Sequence, residues 1–581
     1  MSRVLSAGLL ILLLPACAKN AEKGTTGAAD DGRESGEGEG ESLPLDFTMT
    51  APSSGAIVSS GQVDAEGTWS GNASAVVSVN GVDVGVSEPG SWSLSTDHSD
   101  VAWPDSPLWP VLGDARDAST NEWKRARATL IHGESAPGDA VAPSGLMFRL
   151  TDNVLYQLDG ALDAIVADLD LTEMLVGTDP VTTFLGADVY VTDATFGELT
   201  PTLDFTSTGL SYTLRVEEVT ITMLLDAGIL GSYDVDLLAD AITLSGDLVF
   251  GVDGAGGLTA TPANTTVDTE GLELFGITDP GLVDALLGDT IAGTLEDTLV
   301  DAIDGLLEAQ EDLRYLEFSG VAIVSDFVSA IHDNDGVTIL ADSHVELVDG
   351  SPMGDRLTTD IAWGLPTGAE SGNGVPYHAG LFLDDDLLSG LGAALVATDL
   401  LEQEVGGDLG SITLDTSLLG TLVPGFDTLP AGQSVTIVTR PTAPLVGQAG
   451  RDGLAGELHL GGLELDLKSD QDGDGTDDVV MEVVVDAVVG LAPGVDGELL
   501  AIELVDSQAT LVATTLGSHP DEVEPGLATL IDLAVPMLVG DLLGGVLDLE
   551  LGGIGLAIVD GAGVDDRAAL YLELDLSGFE L

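Results

Sequence analysis

The stretch that decides the fold is residues 145–171, GLMFRLTDNVLYQLDGALDAIVADLDL. Residues 146–150 are typical of a short strand, and Thr151 or Asp152 can then cap a helix. After the cap, apolar residues recur at the spacing of one helical face and predict a long amphipathic helix. The stripe consists of Val154, Leu155, Leu158, Leu162, Ile165, Val166 and Leu169.

A second helix of the same kind is predicted after Asp279, because Pro280 suits the first position of a helix. Its apolar stripe includes Leu286, Ile291 and Leu295. Between the two helices, residues 186–275 alternate apolar and polar side chains in the manner of strands. The alternation slips by one residue at Glu217 and Glu218, which predicts a β-bulge.

The same order of elements returns nearer the end of the chain. Residues 380–401, GLFLDDDLLSGLGAALVATDLL, predict a strand, a cap at Asp384 and a helix. Strands are expected over residues 410–516, and a closing helix is expected to begin at Pro525 with Glu524 as its cap. The stripes of these helices include Leu388, Leu391 and Leu395 in the first and Leu530, Val535 and Leu538 in the second.

These patterns predict an α+β fold in which each unit wraps a curved antiparallel sheet around its long helices. Such a unit leaves an apolar seam between helix and sheet that can hold a lipid chain. The composition, 44% hydrophobic with only 4% aromatic residues, predicts aliphatic cores.

The charge of the 581-residue chain is strongly one-sided, with 99 acidic and 16 basic residues and a formal net charge of −83. Such a chain stays soluble through self-repulsion, and it is repelled by phosphate backbones and anionic lipid headgroups. We therefore expect no nucleic-acid partner.

The single cysteine, Cys17, stands at the end of a secretion signal. The apolar run before it, residues 4–14, is too short for a membrane-spanning helix. Residues 14–17, LPAC, resemble a bacterial lipobox, in which the cysteine is acylated and becomes the new N-terminus. The resemblance implies a lipid-anchored protein of the bacterial cell envelope, on the outer membrane; a plain secretory signal is the alternative.

Residues 45–134 contain short alternating runs separated by turn signals such as Asn80-Gly81. Five of the six tryptophans lie here. The spacing predicts a small all-β sandwich that resembles bacterial Ig-like modules and acts as a spacer or adhesion module. The basic cluster of Lys124, Arg125 and Arg127 is expected to be the solvated face of an edge strand.

From residue 145 to residue 581, the order of elements resembles the two-barrel tubular lipid-binding superfamily. That family includes bactericidal/permeability-increasing protein, lipopolysaccharide-binding protein and cholesteryl-ester transfer protein. The resemblance rests first on GLMFRLTDNVLYQLDGALDAIV, ADVYVTDATFGEL, GLSYTLRVEEVTITM and ITDPGLVDALLGDTIAGTLEDTLVDAI. In the second half it rests on GLFLDDDLLSGLGAALVA, LDTSLLGTLVPGF and PGLATLIDLAVPMLVGDLL.

The resemblance implies two elongated barrels joined by a central sheet, each with an apolar lipid pocket. By position, the first pocket would be lined by Leu155, Leu158, Leu162, Ile165, Leu286, Ile291 and Leu295, and the second by Leu388, Leu391, Leu395, Leu530, Val535 and Leu538. Ordinary core is the alternative for each stripe. Lipopolysaccharide-binding relatives carry a lysine-rich tip where residues 225–236 here have no Lys or Arg, which favours a neutral or weakly charged lipid.

The predicted organisation follows from these segments. We expect a lipoprotein signal at 1–17, an acidic flexible tether at 18–44, an Ig-like sandwich at 45–134, a first lipid-binding barrel at 145–316, a central-sheet connection at 317–379, and a second lipid-binding barrel with final strands at 380–581.

One stretch has the composition of a metal site. Residues 470–478, DQDGDGTDD, place carboxylates at alternate positions with a glycine for the turn, as Ca²⁺ requires. The loop resembles a thrombospondin type-3 calcium repeat, which implies a structural Ca²⁺; a polar hairpin tip is the alternative. The candidate ligands are Asp470, Asp472, Asp474, Thr476, Asp477 and Asp478.

Catalytic signatures are absent from the sequence, which has no P-loop, no G-x-S-x-G, no H-E-x-x-H and no cysteine nucleophile. We therefore expect a non-enzymatic, extracytoplasmic lipoprotein that holds acyl chains, and the sequence leaves open whether it stores lipids or transfers them between membranes. A structural or adhesive cell-surface lipoprotein without lipid cargo is the alternative, and lipid that co-purifies with the protein would distinguish the two.

Overall fold

In the computed structural model, residues 44–581 are described except for 73, 87, 98–105, 156–171, 173–175, 177–179, 181, 185–186, 229–230, 275–299, 301–313, 360–363, 410–411, 452, 494–499, 545–554, 565–566 and 576–581.

The N-terminal sandwich consists of two sheets around one core. Its strands are β1 (Asp46–Ala51), β2 (Ile57–Val58), β3 (Gln62–Ser70), β4 (Ala75–Val79), β5 (Val82–Asp83), β6 (Gly90–Asp97), β7 (Leu108–Asp117) and β8 (Glu122–His132). One sheet has the order β1-β3-β6 and the other β2-β8-β7-β4-β5. The core between them includes Phe47, Trp69, Trp92 and Trp109.

Antiparallel strands dominate the middle of the chain. They are β9 (Glu134–Pro137), β10 (Ala142–Thr151), β11 (Thr182–Phe184), β12 (Ala187–Thr195), β13 (Leu199–Thr206), β14 (Gly209–Asp226), β15 (Ser232–Val252), β16 (Leu258–Glu270), β17 (Glu273–Leu274), β18 (Tyr315–Phe318), β19 (Val321–Asp333), β20 (Gly336–Leu347), β21 (Asp355–Thr358) and β22 (Ala379–Asp384). A 3-10 turn, Asp152–Val154, follows β10.

The C-terminal part carries the three named α-helices of the described residues. Its elements are α1 (Asp385–Ala397), β23 (Glu404–Leu409), β24 (Ile412–Leu414), α2 (Thr416–Leu422), a 3-10 turn (Phe426–Thr428), β25 (Thr436–Pro441), β26 (Val446–Ala449), β27 (Gly456–Ser469), β28 (Asp478–Pro493), β29 (Leu500–Thr514), α3 (Pro520–Gly544), β30 (Gly555–Val564) and β31 (Arg567–Asp575).

A central seven-stranded sheet gathers strands from distant parts of the chain in the order β18-β19-β20-β10-β22-β31-β30. The strand predicted at residues 146–150 lies in the middle of this sheet as part of β10. Phe148 pairs with Ile339 of β20 on one side and with Leu381 of β22 on the other.

Two further large sheets consist of strands that lie, in the sequence, between strands of the central sheet. The N-terminal sheet has the order β11-β12-β14-β15-β16, with β13 paired to β14 and β17 to β15. The C-terminal sheet has the order β24-β23-β25-β27-β28-β29, with β26 paired to β27.

The predicted fold class, an α+β fold whose two barrels wrap curved sheets on long helices, is wrong, although the sandwich and a central sheet are both present. Strands account for 62% of the described residues and helices for 11%, so the described fold is mostly β. The physical reason is that long alternating strands satisfy their backbone groups in sheet ladders, and α3 packs against one face of the C-terminal sheet.

The helix boundaries test the predicted caps. Asp384 caps α1 as predicted, because its side chain accepts from the backbone N–H of Asp386. Thr151 makes no capping bond and donates instead to the carbonyl of Tyr377. The predicted start at Pro525 is wrong, since α3 already begins at Pro520, which also suits the first helical position and is followed by two acidic residues.

Candidate functional site

The N-terminal sheet carries an apolar cluster on one face. Its buried members come mainly from β12 to β15 and include Val191, Leu214, Ile221 and Leu237. Leu155, at the end of the 3-10 turn, is 6% exposed and belongs to the same cluster. Val300, from the second predicted helix, packs against it.

Most of the predicted lining of the first pocket lies outside the described residues. This applies to Leu158, Leu162, Ile165, Leu286, Ile291 and Leu295. Leu155 is therefore the one predicted lining residue of the first pocket that the structure describes, and its role in lipid binding stays a prediction.

A second apolar cluster lies between α3 and the C-terminal sheet. The helix contributes Leu527, Leu530, Ile531 and Val535 at helical spacing, each nearly inaccessible to solvent. Alternate residues of β28, such as Val483 and Val485, face them from the sheet. The buried members are aliphatic or methionine, with Phe426 as the aromatic exception.

The structure divides the predicted lining of the second pocket between two places. Leu530 and Val535 belong to the C-terminal cluster. Leu391 and Leu395 of α1 belong instead to a cluster on the central sheet. Leu388 is buried against Gly447 of β26. The side chain of Leu538, in α3, is not among those that the structure describes.

The N-terminus of α1 buries three consecutive aspartates, 384–386. Arg356 approaches Asp386 at 3.1 Å, and Arg567 is the cross-strand partner of Asp384. Burial raises the pKa of Asp384 to about 6, and the charge of Asp386 adds to that effect. The two arginines oppose it, so desolvation outweighs ion pairing here.

The predicted calcium loop forms the hairpin between β27 and β28. One carboxylate oxygen each from Asp470, Asp472 and Asp474 lies within 4.8 Å of the other two. Gly473 and Gly475 adopt positive φ angles, which glycine takes without strain, and both donate backbone N–H groups to Asp470.

The remaining predicted ligands, Thr476, Asp477 and Asp478, follow in the sequence but do not belong to that group of three carboxylates. The backbone N–H of Thr476 donates to Asp474, and Asp478 opens β28 directly after Asp477. The carboxylates of Asp470, Asp472 and Asp474 have the oxygen chemistry and the close spacing that a calcium ion requires.

The basic cluster on β8 is not solvated as predicted. The side chain of Arg127 is 1% exposed and pairs with Asp486 of β28, whose side chain is fully buried. Arg125 pairs with Glu524 of α3 at 2.7 Å. Only Lys124 of the three is exposed.

Asp486 is a buried charged residue that the sequence analysis did not single out. Besides Arg127, it accepts from the Thr129 hydroxyl at 2.8 Å and from the Gly462 backbone N–H at 2.7 Å. A signal was present, because an aspartate inside the run VVVDAVV has to be satisfied by partners if that strand is buried.

His459 of β27 lies at the same junction and is fully buried. Its Nδ1 lies 2.9 Å from the Ser106 hydroxyl, and its Nε2 lies 3.7 Å from Glu457. Burial, together with the positive charge of Arg451, lowers the pKa of His459 to about 3. The imidazole is therefore neutral in the folded protein.

Two other predictions concern membranes. Cys17 lies outside the described residues, so its acylation stays a prediction. In the described part of the chain, no helix combines the length and apolar character that crossing a bilayer requires.

Comparison with known proteins leaves the family open. No protein-family model and no curated protein matches the chain. The crystal structure of lipopolysaccharide binding protein is similar at 14% identity and a TM-score of 0.39, over 75% of this chain and 99% of the other. The crystal structure of P47 of Clostridium botulinum E1 is similar at 8% identity and a TM-score of 0.24, over 75% of this chain and 100% of the other. At such TM-scores, neither similarity carries an argument.

Proposed function

We propose that this protein binds the acyl chains of lipids against its two aliphatic clusters, and that it works outside the cytoplasm, held to the bacterial outer membrane by an acylated Cys17. The observation that carries the proposal is the C-terminal cluster, where α3 sets Leu527, Leu530 and Val535 against a sheet face of nearly pure aliphatic composition. Such an aliphatic surface fits a hydrocarbon chain.

The energetic gain from acyl burial is large enough to hold a lipid. Each methylene removed from water contributes about 0.8 kcal/mol, so eight buried methylenes contribute about 6 kcal/mol before ordering costs. Side-chain rearrangement within the cluster has to make this room. Because leucine and valine packing tolerates changes of shape that conserve volume, an aliphatic guest is the least disruptive one.

The charge of the chain limits the headgroup. With a net charge of −83, the protein repels anionic headgroups, so we infer a neutral or weakly charged lipid. The role is binding, with transfer between membranes as its extension, and we infer no enzymatic activity.

Lipid extraction and uptake test this proposal. We expect protein purified from its native host to yield lipid on solvent extraction and to take up a fluorescent fatty acid. Leu530→Trp fills the C-terminal cluster and should reduce uptake, whereas Val505→Trp, at a site 46% exposed on β29, should not. Empty protein with no uptake would contradict lipid binding and favour the adhesive alternative.

We also propose that Asp470, Asp472 and Asp474 hold a structural Ca²⁺, with Thr476, Asp477 and Asp478 as further candidate ligands. When bound, the ion would neutralise the repulsion among three carboxylates within 4.8 Å of one another. Calorimetric titration should show uptake that Asp472→Asn weakens and that Asp349→Asn, in another exposed turn, leaves unchanged. Equal heats for all three proteins would contradict the site.

A further inference from the structure

The strand β28 is buried on both of its faces. Val483, Val485 and Ala487 face the C-terminal cluster. The alternate residues, Val484, Asp486 and Val488, are also buried, although they point away from that cluster. The contacts of Asp486 with β8 show that the sandwich covers this outer face.

The centre of this contact is ionic. Arg127 binds both Asp486 and Thr510, so β28 and β29 are linked to the sandwich through one side chain. A buried ion pair stabilises a contact less than apolar packing does, but losing one partner is strongly unfavourable. When such a contact opens as a whole, both charges regain water, which offsets part of the free-energy cost of opening.

A second part of the contact reaches α3. The guanidinium of Arg125 donates to Glu524, and the same carboxylate accepts the backbone N–H of Leu511 in β29 at 3.2 Å. Trp123 meets the ring of His519, just before the helix, edge-on at 6.4 Å. The sandwich therefore touches the first turns of the helix that carries Leu527 and Leu530 into the C-terminal cluster.

We propose that the N-terminal sandwich is a clamp that holds α3 closed over the C-terminal cluster, and that its release loosens the helix and opens the cluster. The clamp stands on the contacts of Arg125, Arg127 and Asp486. Its consequence for lipid entry rests on the proposed function.

Hydrogen exchange of the full chain in a Cys17→Ser background tests the clamp. We expect Asp486→Asn and Glu524→Ala to speed exchange of the α3 amides by about tenfold or more, because each removes one partner of the contact. Asp466→Asn breaks an exposed ion pair with Arg440 on the same sheet and serves as the matched control. If Asp486→Asn does not fold, Glu524→Ala, whose site is 29% exposed, carries the test.

A cross-link makes the test specific. The side-chain oxygens of Ser54 and Thr442 lie 2.8 Å apart across the junction, so Ser54→Cys with Thr442→Cys should close a disulfide between sandwich and sheet. Adding this disulfide to either variant should return α3 exchange to the wild-type rate. Exchange equal to that of Asp466→Asn, or unaffected by the disulfide, would overturn the clamp.

Uptake of a fluorescent fatty acid by the same proteins separates the two proposals. Faster uptake by Asp486→Asn, slowed again by the disulfide, supports both. Absent uptake in every protein, with faster α3 exchange in the released variants, supports the clamp and overturns lipid binding.

Discussion

Replacing Asp384 with asparagine should stabilise α1 at neutral pH. The carboxyl group is buried, and burial raises its pKa from 3.8 to about 6, beyond what Arg567 and Arg356 can offset. That difference corresponds to about 3 kcal/mol between the charged and the neutral form. Asparagine keeps the capping bond to the Asp386 N–H and carries no charge, so it should recover most of that free energy.

The sign of the pH dependence follows from linkage. The folded protein binds the Asp384 proton more tightly than the unfolded chain, so this group favours folding below pH 4 and loses that contribution as the pH rises through about 6. The Asp384→Asn variant should therefore be more stable than the wild type at pH 7.5 and equally stable near pH 4.

Hydrogen exchange of the α1 amides at several pH values measures this difference. The matched control is Asp415→Asn, which replaces the cap of α2, a residue whose side chain accepts from the Leu418 N–H at 2.8 Å. If Asp384→Asn is less stable than the wild type at pH 7.5, by an amount independent of pH, then desolvation is not the main effect on the Asp384 carboxyl group.

Three further predictions concern stability. Neutral His459 favours folding above pH 6.5 and loses that contribution as the pH falls toward 3. The free energy of unfolding measured by urea titration should therefore drop by about 2 kcal/mol between pH 7 and 5, and His459→Gln should abolish this component. Raising NaCl from about 10 mM to about 1 M should raise the melting temperature, because it shortens the Debye length from about 30 to about 3 Å in a chain of net charge −83. Gly526→Ala would place a methyl group 1.9 Å from the Leu422 carbonyl and should lower stability by about 1–3 kcal/mol, whereas Gly254→Ala meets nothing within 4 Å and should be neutral.

Local periodicity was sufficient for several elements. The alternation in GLSYTLRVEEVTITM predicted β14, and its slip is real, since both glutamates are exposed between buried Val216 and Val219. The slip is produced by Glu218 in a left-handed conformation. The predicted β-bulge is wrong, because the register with β15 runs on unchanged without an extra residue. The Asp384 cap and the helix α1 were equally visible, because both depend on neighbours within a few residues.

Periodicity did not predict the correct structure where two prolines both suited a helix start, or where the surface that buries a helix is distant in the sequence. Pro520 and Pro525 both suit a helix start, and the sequence analysis chose Pro525, whereas the helix begins at Pro520. The stripe of α1 was assigned to the second pocket together with Leu530, yet Leu391 and Leu395 lie on the central sheet. An apolar stripe specifies that a face is buried and leaves open which surface buries it.

The sequence by itself determined the aliphatic character of the C-terminal cluster, most of the strands, the α1 cap and the close spacing of the aspartates in the predicted calcium loop, because each depends on residues near one another in the chain. Only the tertiary structure determined which charged side chains are buried and which residues they pair with. Arg127 and Asp486 are 359 positions apart, and each alone is typical of a solvent-exposed residue. Their burial becomes favourable only when the sandwich brings the two charges into contact and completes their hydrogen bonds.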